Sequence, residues 1–149
     1  MIEYNRRLYI LWEQDMEKII LFTDSKRIIK NTYRITEGKY ELIWRSYRQL
    51  YKNEYQCPDA VVMHFDHDML QNGIFELIIK VKGRVGNSIP ILAIIEGGTP
   101  QDIFSILQIG VYDYIETTDN LPEYQKKIKD LILWSWYLKT YEYGEKDKD

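Results

Sequence analysis

The sequence predicts an α/β protein with a doubly wound parallel sheet of five strands, covered by helices on both faces. Short apolar runs alternate with helical patterns five times along the chain. Nearly every position in these runs is apolar, which is typical of parallel strands buried on both faces. The chain has 149 residues, a length typical of one domain.

The predicted strands are short runs of mainly β-branched and aliphatic residues. They cover residues 18–23, 40–44, 59–64, 89–95 and 111–115. Between and after them, capping residues and glycine stops predict helices. These cover residues 24–35, 46–55, 73–85, 99–109 and 121–143, and the second has the weakest pattern. In the fourth helix, Thr99 is the expected N-cap, Pro100 occupies the first position, and Gly110 ends the helix. The third should turn Phe75, Leu77, Ile78 and Val81 inward.

The predicted domain spans residues 18–143, with an extension at each end. Residues 1–17 contain the apolar run Leu8–Trp12, which fits either a short helix or an added strand. Residues 144–149 form a charged tail, expected to be disordered. The tail is either a natural end or the start of a linker to an output domain beyond Asp149.

Composition argues against several classes of partner. The formal net charge is −3, and the basic residues are scattered among acids, so we expect no nucleic-acid contact by this domain. No apolar run approaches the ~20 residues of a membrane span, and no secretory signal is evident. The single cysteine, Cys57, excludes an internal disulfide framework. We therefore expect a cytoplasmic protein.

Three segments share their order and spacing with a known family of domains. They are residues 58–64, Pro-Asp-Ala-Val-Val-Met-His, residues 89–94 and residues 110–115. They resemble, in that order, the third strand, the fourth strand and the segment leading through the fifth strand of the CheY-like receiver domain of two-component response regulators. In receivers the third strand ends in the phosphoacceptor aspartate. The resemblance covers roughly residues 18–141. It implies the flavodoxin-like (β/α)5 receiver fold and a role in signal transduction.

The same resemblance implies that the phosphorylation site is degenerate. Active receivers use an acidic pair for Mg²⁺, an acceptor aspartate, a hydroxyl residue and a lysine. The corresponding positions here hold Thr23 and Asp24, His64, Ile95 and Thr117. Tyr114 occupies the position of the switch aromatic. The sequence thus predicts a pseudo-receiver that is not an enzyme, binds no cofactor and signals independently of phosphorylation.

The segment His64–Asp68 permits a second hypothesis, a ligand or metal sensor around Asp24 and His64. Imidazole and carboxylate groups suit Zn²⁺ or Ni²⁺. Alternation along an extended chain opposes a shared site, because His64 and His67 would point in different directions. The simpler expectation is that no metal binds, that His64 hydrogen-bonds Asp24, and that residues 66–68 form a solvated loop. For Glu96-Gly97-Gly98, a turn is favoured over an anion cradle.

The last helix carries more apolar surface than one buried stripe requires. Its predicted inward stripe is Tyr124, Ile128, Leu131, Ile132 and Ser135. Large residues outside this stripe are Leu133, Trp134, Trp136, Tyr137 and Tyr141. The aromatic members are candidates for an interface with a protein partner or a second copy. Cover by the N-terminal extension is the alternative, and both can hold.

Overall fold

The computed structural model describes residues 16–51 and 57–146. Its five parallel strands have the spatial order β2-β1-β3-β4-β5. The strands are β1 (Lys18–Phe22), β2 (Glu41–Arg45), β3 (Ala60–Phe65), β4 (Ile91–Ile95) and β5 (Asp113–Ile115). The helices are α1 (Lys26–Thr36), α2 (His67–Asn72), α3 (Phe75–Val85), α4 (Pro100–Gln108) and α5 (Leu121–Lys146). This is the flavodoxin-like doubly wound order, and the predicted fold class is confirmed.

The sheet separates two apolar layers. Residues of β3 and β4 are buried without exception, as expected of central parallel strands. Alternate side chains of the strands face opposite layers. One layer packs Val61, Met63 and Ile91 against α3 and α4, and the other packs Val62, Leu92 and Ile94 against α1 and α5. The core therefore encloses the central strands and leaves their carboxyl ends as one polar edge.

Two helix starts have side-chain caps, and the cap at Thr99 is the predicted one. The Ser25 hydroxyl accepts a hydrogen bond from the backbone N–H of Ile28, at 3.4 Å. Thr99 and Asp102 form a reciprocal capping box around Pro100. Gly110 follows α4 with φ +94°, a conformation that favours glycine and lets the chain turn into β5.

The structure corrects three predicted helices. The second helix is a 3-10 helix, Tyr47–Tyr51, and residues 52–56 lie outside the described residues. The third begins at Phe75, whose side chain is exposed rather than inward. Ile74 takes the inward position one residue earlier, because the chain turns at Gly73, where φ is +91°. The last helix continues to Lys146, so residues 144–146 of the expected tail are helical.

The predicted inward stripe of α5 is confirmed, since all five of its residues are buried. Tyr124 is fully buried, and its hydroxyl lies 2.7 Å from the Thr32 hydroxyl on α1. Thr32 donates its own proton to the backbone carbonyl of Ile28, so Tyr124 is the donor to Thr32. This buried hydrogen bond joins the two helices on one face of the sheet.

Replacement of Tyr124 by phenylalanine should remove this hydrogen bond while keeping the ring. We expect Tyr124→Phe to lower the free energy of unfolding by about 1 kcal/mol, the usual net value of one buried hydrogen bond. Tyr137→Phe on the exposed side of α5 is the matched control and should be nearly neutral. Urea unfolding followed by circular dichroism measures both, and equal stabilities of the two variants would contradict the assignment.

Candidate functional site

The predicted site positions lie at the carboxyl edge of the sheet. Thr23 directly follows β1, His64 is next to last in β3, and Ile95 is the last residue of β4. Thr117 lies in the loop between β5 and α5. In sheets of this order, ligands bind beyond the carboxyl ends of the strands, where the strand order reverses. The edge therefore brings the predicted positions into one region, where the side chains of Thr23 and His64 form a hydrogen bond.

His64 is buried and forms a hydrogen bond with Thr23. The His64 Nδ1 atom lies 2.8 Å from the Thr23 hydroxyl, and both side chains are shielded from solvent. The Thr23 hydroxyl also accepts a hydrogen bond from the backbone N–H of Ser25, at 3.0 Å. The Thr23 hydroxyl thus connects the His64 ring to the backbone at the start of α1, and which atom donates in the Thr23–His64 hydrogen bond is set by the tautomer of His64.

The Nε2 atom of His64 faces the carboxylate of Glu96. The distance from Nε2 to Oε1 is 3.0 Å, within ion-pair range, although the contact is not aligned as a hydrogen bond. Burial lowers the pKa of His64 more than any other influence. Glu96 and Asp66 raise the pKa in opposition, while Arg27 lowers it further. The net effect is a lowered pKa, so His64 is neutral at pH 7.

A chain of charged groups leads from His64 to the surface. Arg27, in the first turn of α1, contacts Glu96 at 3.1 Å and Asp119 at 2.9 Å. Asn31 also donates hydrogen bonds to Asp119 and to Thr118. These side chains connect the loops after β4 and β5 through α1. Arg27 and Asp119 are exposed, so their ion pairs are screened by water and contribute little stability.

Two aromatic side chains form hydrogen bonds with the backbone carbonyls of His64 and Thr23. The Tyr47 hydroxyl donates to the backbone carbonyl of His64 at 2.6 Å, and its ring stacks between Phe22 and Phe65. Burial, with the nearby charges of Asp24 and Asp66, raises the pKa of Tyr47 well above its usual value. The Trp44 indole N–H donates to the carbonyl of Thr23 at 2.7 Å. The 3-10 helix and β2 thus fix the positions of His64 and Thr23.

The other predicted positions do not join His64. Asp24 is exposed, and the expected hydrogen bond between His64 and Asp24 is wrong. The Nδ1 atom of His64 forms its hydrogen bond with Thr23 instead. Thr117 is exposed, and its hydroxyl accepts from the backbone N–H of Asp119. Ile95 is fully buried and packs against Gly98, where an added Cβ would lie 2.3 Å from Ile95 Cγ2. This close approach explains why residue 98 is a glycine. Gly97, with φ +72°, forms the predicted turn.

The candidate metal ligands are also separated. Asp66 is the N-cap of α2, so residues 66–68 begin a short helix rather than the expected loop. His67 is exposed, and its Nε2 atom lies 3.0 Å from the side-chain amide nitrogen of Gln71. Across residues 16–51 and 57–146, no group of three histidine, cysteine, aspartate or glutamate side chains is arranged to hold a metal ion.

The aromatic residues of α5 divide between two faces of the helix. The rings of Tyr112, Trp134, Tyr137 and Tyr141 form a continuous stack, here called the aromatic ladder. Successive ring centroids lie 5.6, 5.3 and 6.1 Å apart. Trp136 is 65% exposed and lies outside the ladder, since residues two apart do not share a helix face. Tyr114, which the sequence predicted as the switch aromatic, is half-buried, and the ammonium nitrogen of Lys127 lies 5.8 Å from its ring centroid.

Sequence reasoning did not assign Arg27, Glu96 or Tyr47 to the site, and it considered Glu96 only as part of a turn. Glu96 immediately follows β4, a position that the strand-end rule marks for inspection. Arg27 lies in the first turn of α1, directly after the first site residues. Tyr47 carried no usable signal, because the pattern of its segment was weak.

Comparison with solved structures identifies the fold as that of CheY-like receiver domains. A CheY-like response regulator of Mesorhizobium loti aligns with a TM-score of 0.62 and 10% identity, covering 81% of this chain and 99% of that one. A CheY-like receiver domain of Methanospirillum hungatei aligns with a TM-score of 0.63 and 19% identity, covering 83% and 98%. A protein of Rhodopirellula baltica described as an adenylate cyclase gives 0.65 and 16%, covering 88% and 98%.

The receiver fold is therefore shared across low sequence identity, and it is the fold that these matches establish. No model of a known protein family matches the sequence, and no curated protein is detectably similar. Among the described helices, none combines the length and apolar composition needed to cross a membrane.

The lowered pKa of His64 predicts a dependence of stability on pH. Protonation favours the unfolded chain, where histidine has its usual pKa of about 6.5. The stabilising contribution is complete above that value and is lost as the pH falls toward the lower pKa of the folded protein. Urea unfolding between about pH 7.5 and pH 5.5 should show this loss around the usual histidine pKa. In His64→Gln this component of the slope should disappear, and an unchanged slope would contradict the assignment.

Proposed function

We propose that the protein is a signalling module that works independently of phosphorylation, through docking to a protein partner or a second copy. The main support is the buried, neutral His64 ring at the position where receivers carry the acceptor aspartate. Receiver domains are generally signalling modules rather than enzymes, and the fold supports that class. The partner surface and the loss of phosphorylation are proposals from this chain's own residues.

The residues present do not fit the magnesium site of an active receiver. Mg²⁺ requires oxygen ligands in near-octahedral geometry. Here Asp24 is the one carboxylate left of the acidic pair, and it is turned to solvent, while His64 presents nitrogen. Neither Thr117 nor Ile95 supplies a cation or a hydroxyl to this point. We therefore assign no phosphoryl transfer to these residues.

The alternative of a ligand or metal sensor at Asp24 and His64 has weaker support. Both nitrogens of the His64 ring already face protein groups, Thr23 on one side and Glu96 on the other. A metal at Nε2 would have Glu96 as a second ligand but no third among the described residues. The geometry instead favours a structural role for His64, whose buried ring fills the space at this edge of the sheet.

The aromatic ladder is the surface we propose for docking. Its members on α5 are 38–56% exposed, and with Tyr112 they form one apolar strip beside the end of the sheet. Stacked tyrosine and tryptophan rings offer large contact areas, which is typical of the residues that dominate binding energy at interfaces. Trp136 adds a separate exposed aromatic on a different face of the helix.

Phosphorylation should fail even under favourable conditions. After incubation with acetyl phosphate and Mg²⁺, we expect the intact mass to be unchanged, because His64 replaces the acceptor, and the magnesium ligands and the lysine that stabilise a transferring phosphoryl group are missing. An active receiver domain treated in the same way is the positive control. A gain of one phosphoryl group would contradict the proposal, and its persistence in His64→Ala would place the acceptor elsewhere.

Docking through the aromatic ladder predicts self-association at micromolar concentration, measured by sedimentation velocity. Replacing Trp134 and Tyr137 together with alanine should weaken association by more than about tenfold, since truncation of such residues typically costs about 2 kcal/mol or more. Tyr33→Ala, which removes an equally exposed aromatic on α1, should leave association unchanged. A wild-type protein that stays monomeric would exclude a homodimer and leave a heterologous partner as the remaining form of the proposal.

A further inference from the structure

A basic groove lies on the side of α5 away from the aromatic ladder. It runs between the turn after α1 and the first turns of α5, with a volume of about 560 Å³. The lining residues are Lys39, Tyr40, Pro122, Gln125, Lys126 and Lys129. Small-molecule sites typically have volumes of about 300–1,000 Å³, so the groove suits a ligand of that size.

The groove concentrates positive charge in a protein whose net charge is negative. Half of its six lining side chains are lysines and none is acidic. In the described part of the chain, none of these three lysines forms an ion pair, whereas Lys127 and Lys139 pair with aspartates. Burial and the nearby charge of Glu17 raise the pKa of the Tyr40 phenol, so one carboxylate lies near this end of the groove. The charged side chains that line the groove itself are all lysines.

Both walls of the groove are fixed by the fold. The backbone N–H groups of Lys39 and Tyr40 donate to the carbonyl of Thr36 at 2.9 Å, which holds the turn after α1. Gly38 allows this turn with φ +76°. On the other wall, Pro122, Gln125 and Lys129 share one helix face by their spacing. Tyr124, on the buried face, anchors these turns to α1.

We propose that this groove binds a small organic phosphate carrying two or more phosphate groups. The phosphates would lie among the three ammonium groups, because lysine recognises phosphate as a compact point charge. The half-buried ring of Tyr40 and the ring of Pro122 offer apolar surface to the uncharged part of the ligand. The lining of the groove does not include His64. A ligand bound there would therefore let the protein respond to a small molecule, which goes beyond docking to a protein partner.

Titration calorimetry on the full chain tests the proposal with two probes, inorganic tripolyphosphate and ATP, both in the presence of EDTA. Binding is expected to weaken as salt rises. The double variant Lys126→Gln with Lys129→Gln should lose about tenfold or more in affinity, given the usual strength of hydrogen bonds to charged groups. Lys30→Gln, an exposed lysine of α1 outside the groove, is the matched control and should bind like the wild type.

Comparing the affinities of the two probes shows whether the groove recognises phosphate groups alone or an organic phosphate. Tighter binding of ATP, reduced to the tripolyphosphate level by Tyr40→Leu, would identify an organic phosphate as the ligand class. Equal affinities would overturn the organic part of the proposal. Amide chemical shifts should change at Lys39, Tyr40 and the first turns of α5. The absence of binding, an equal loss in Lys30→Gln, or shifts confined to other regions would overturn the groove as a site.

Discussion

The imidazole of His64 is buried at the carboxyl end of β3, and the structure around it follows from that burial. A polar ring withdrawn from water must find partners in the protein. Thr23 satisfies Nδ1, and Tyr47 satisfies the carbonyl of the same residue. A carboxylate in this position would lie close to Glu96 without a buried cation between them. The surroundings therefore stabilise a neutral side chain at this position and disfavour a charged one.

Glu96 links this buried ring to groups that are open to solvent. Its carboxylate is shared between His64 and Arg27, and Arg27 continues to Asp119. The inner contacts lie in a region of low dielectric constant, whereas the outer ion pairs are screened by water and salt. The positions of Thr23 and His64 are thus fixed by the core. The loops after β4 and β5 are joined by weaker contacts that a binding partner can rearrange at low cost.

Most of the fold could be predicted because its signals are local. Continuous apolar runs marked the five strands, and residues such as Thr99 marked helix starts by their own hydrogen-bonding chemistry. The short helix α2 was missed because its cap, Asp66, lies in a charged segment with no apolar period. The structure places the predicted site residues at one edge of the sheet, but their contacts could not be predicted. Whether His64 meets Thr23 or Asp24 depends on side-chain directions at two strand ends, which no sequence pattern encodes.

The faces of α5 show why a surface role is harder to deduce than a core role. The buried stripe has helical periodicity, but Trp134, Tyr137 and Tyr141 are equally large and apolar, so composition alone does not separate them from core residues. The structure separates them through Tyr112, whose ring extends the stack beyond the helix. Because the four rings stack on one another, their side chains are already restricted in the unbound domain. Association through the aromatic ladder would therefore lose less side-chain entropy than association through isolated aromatic residues.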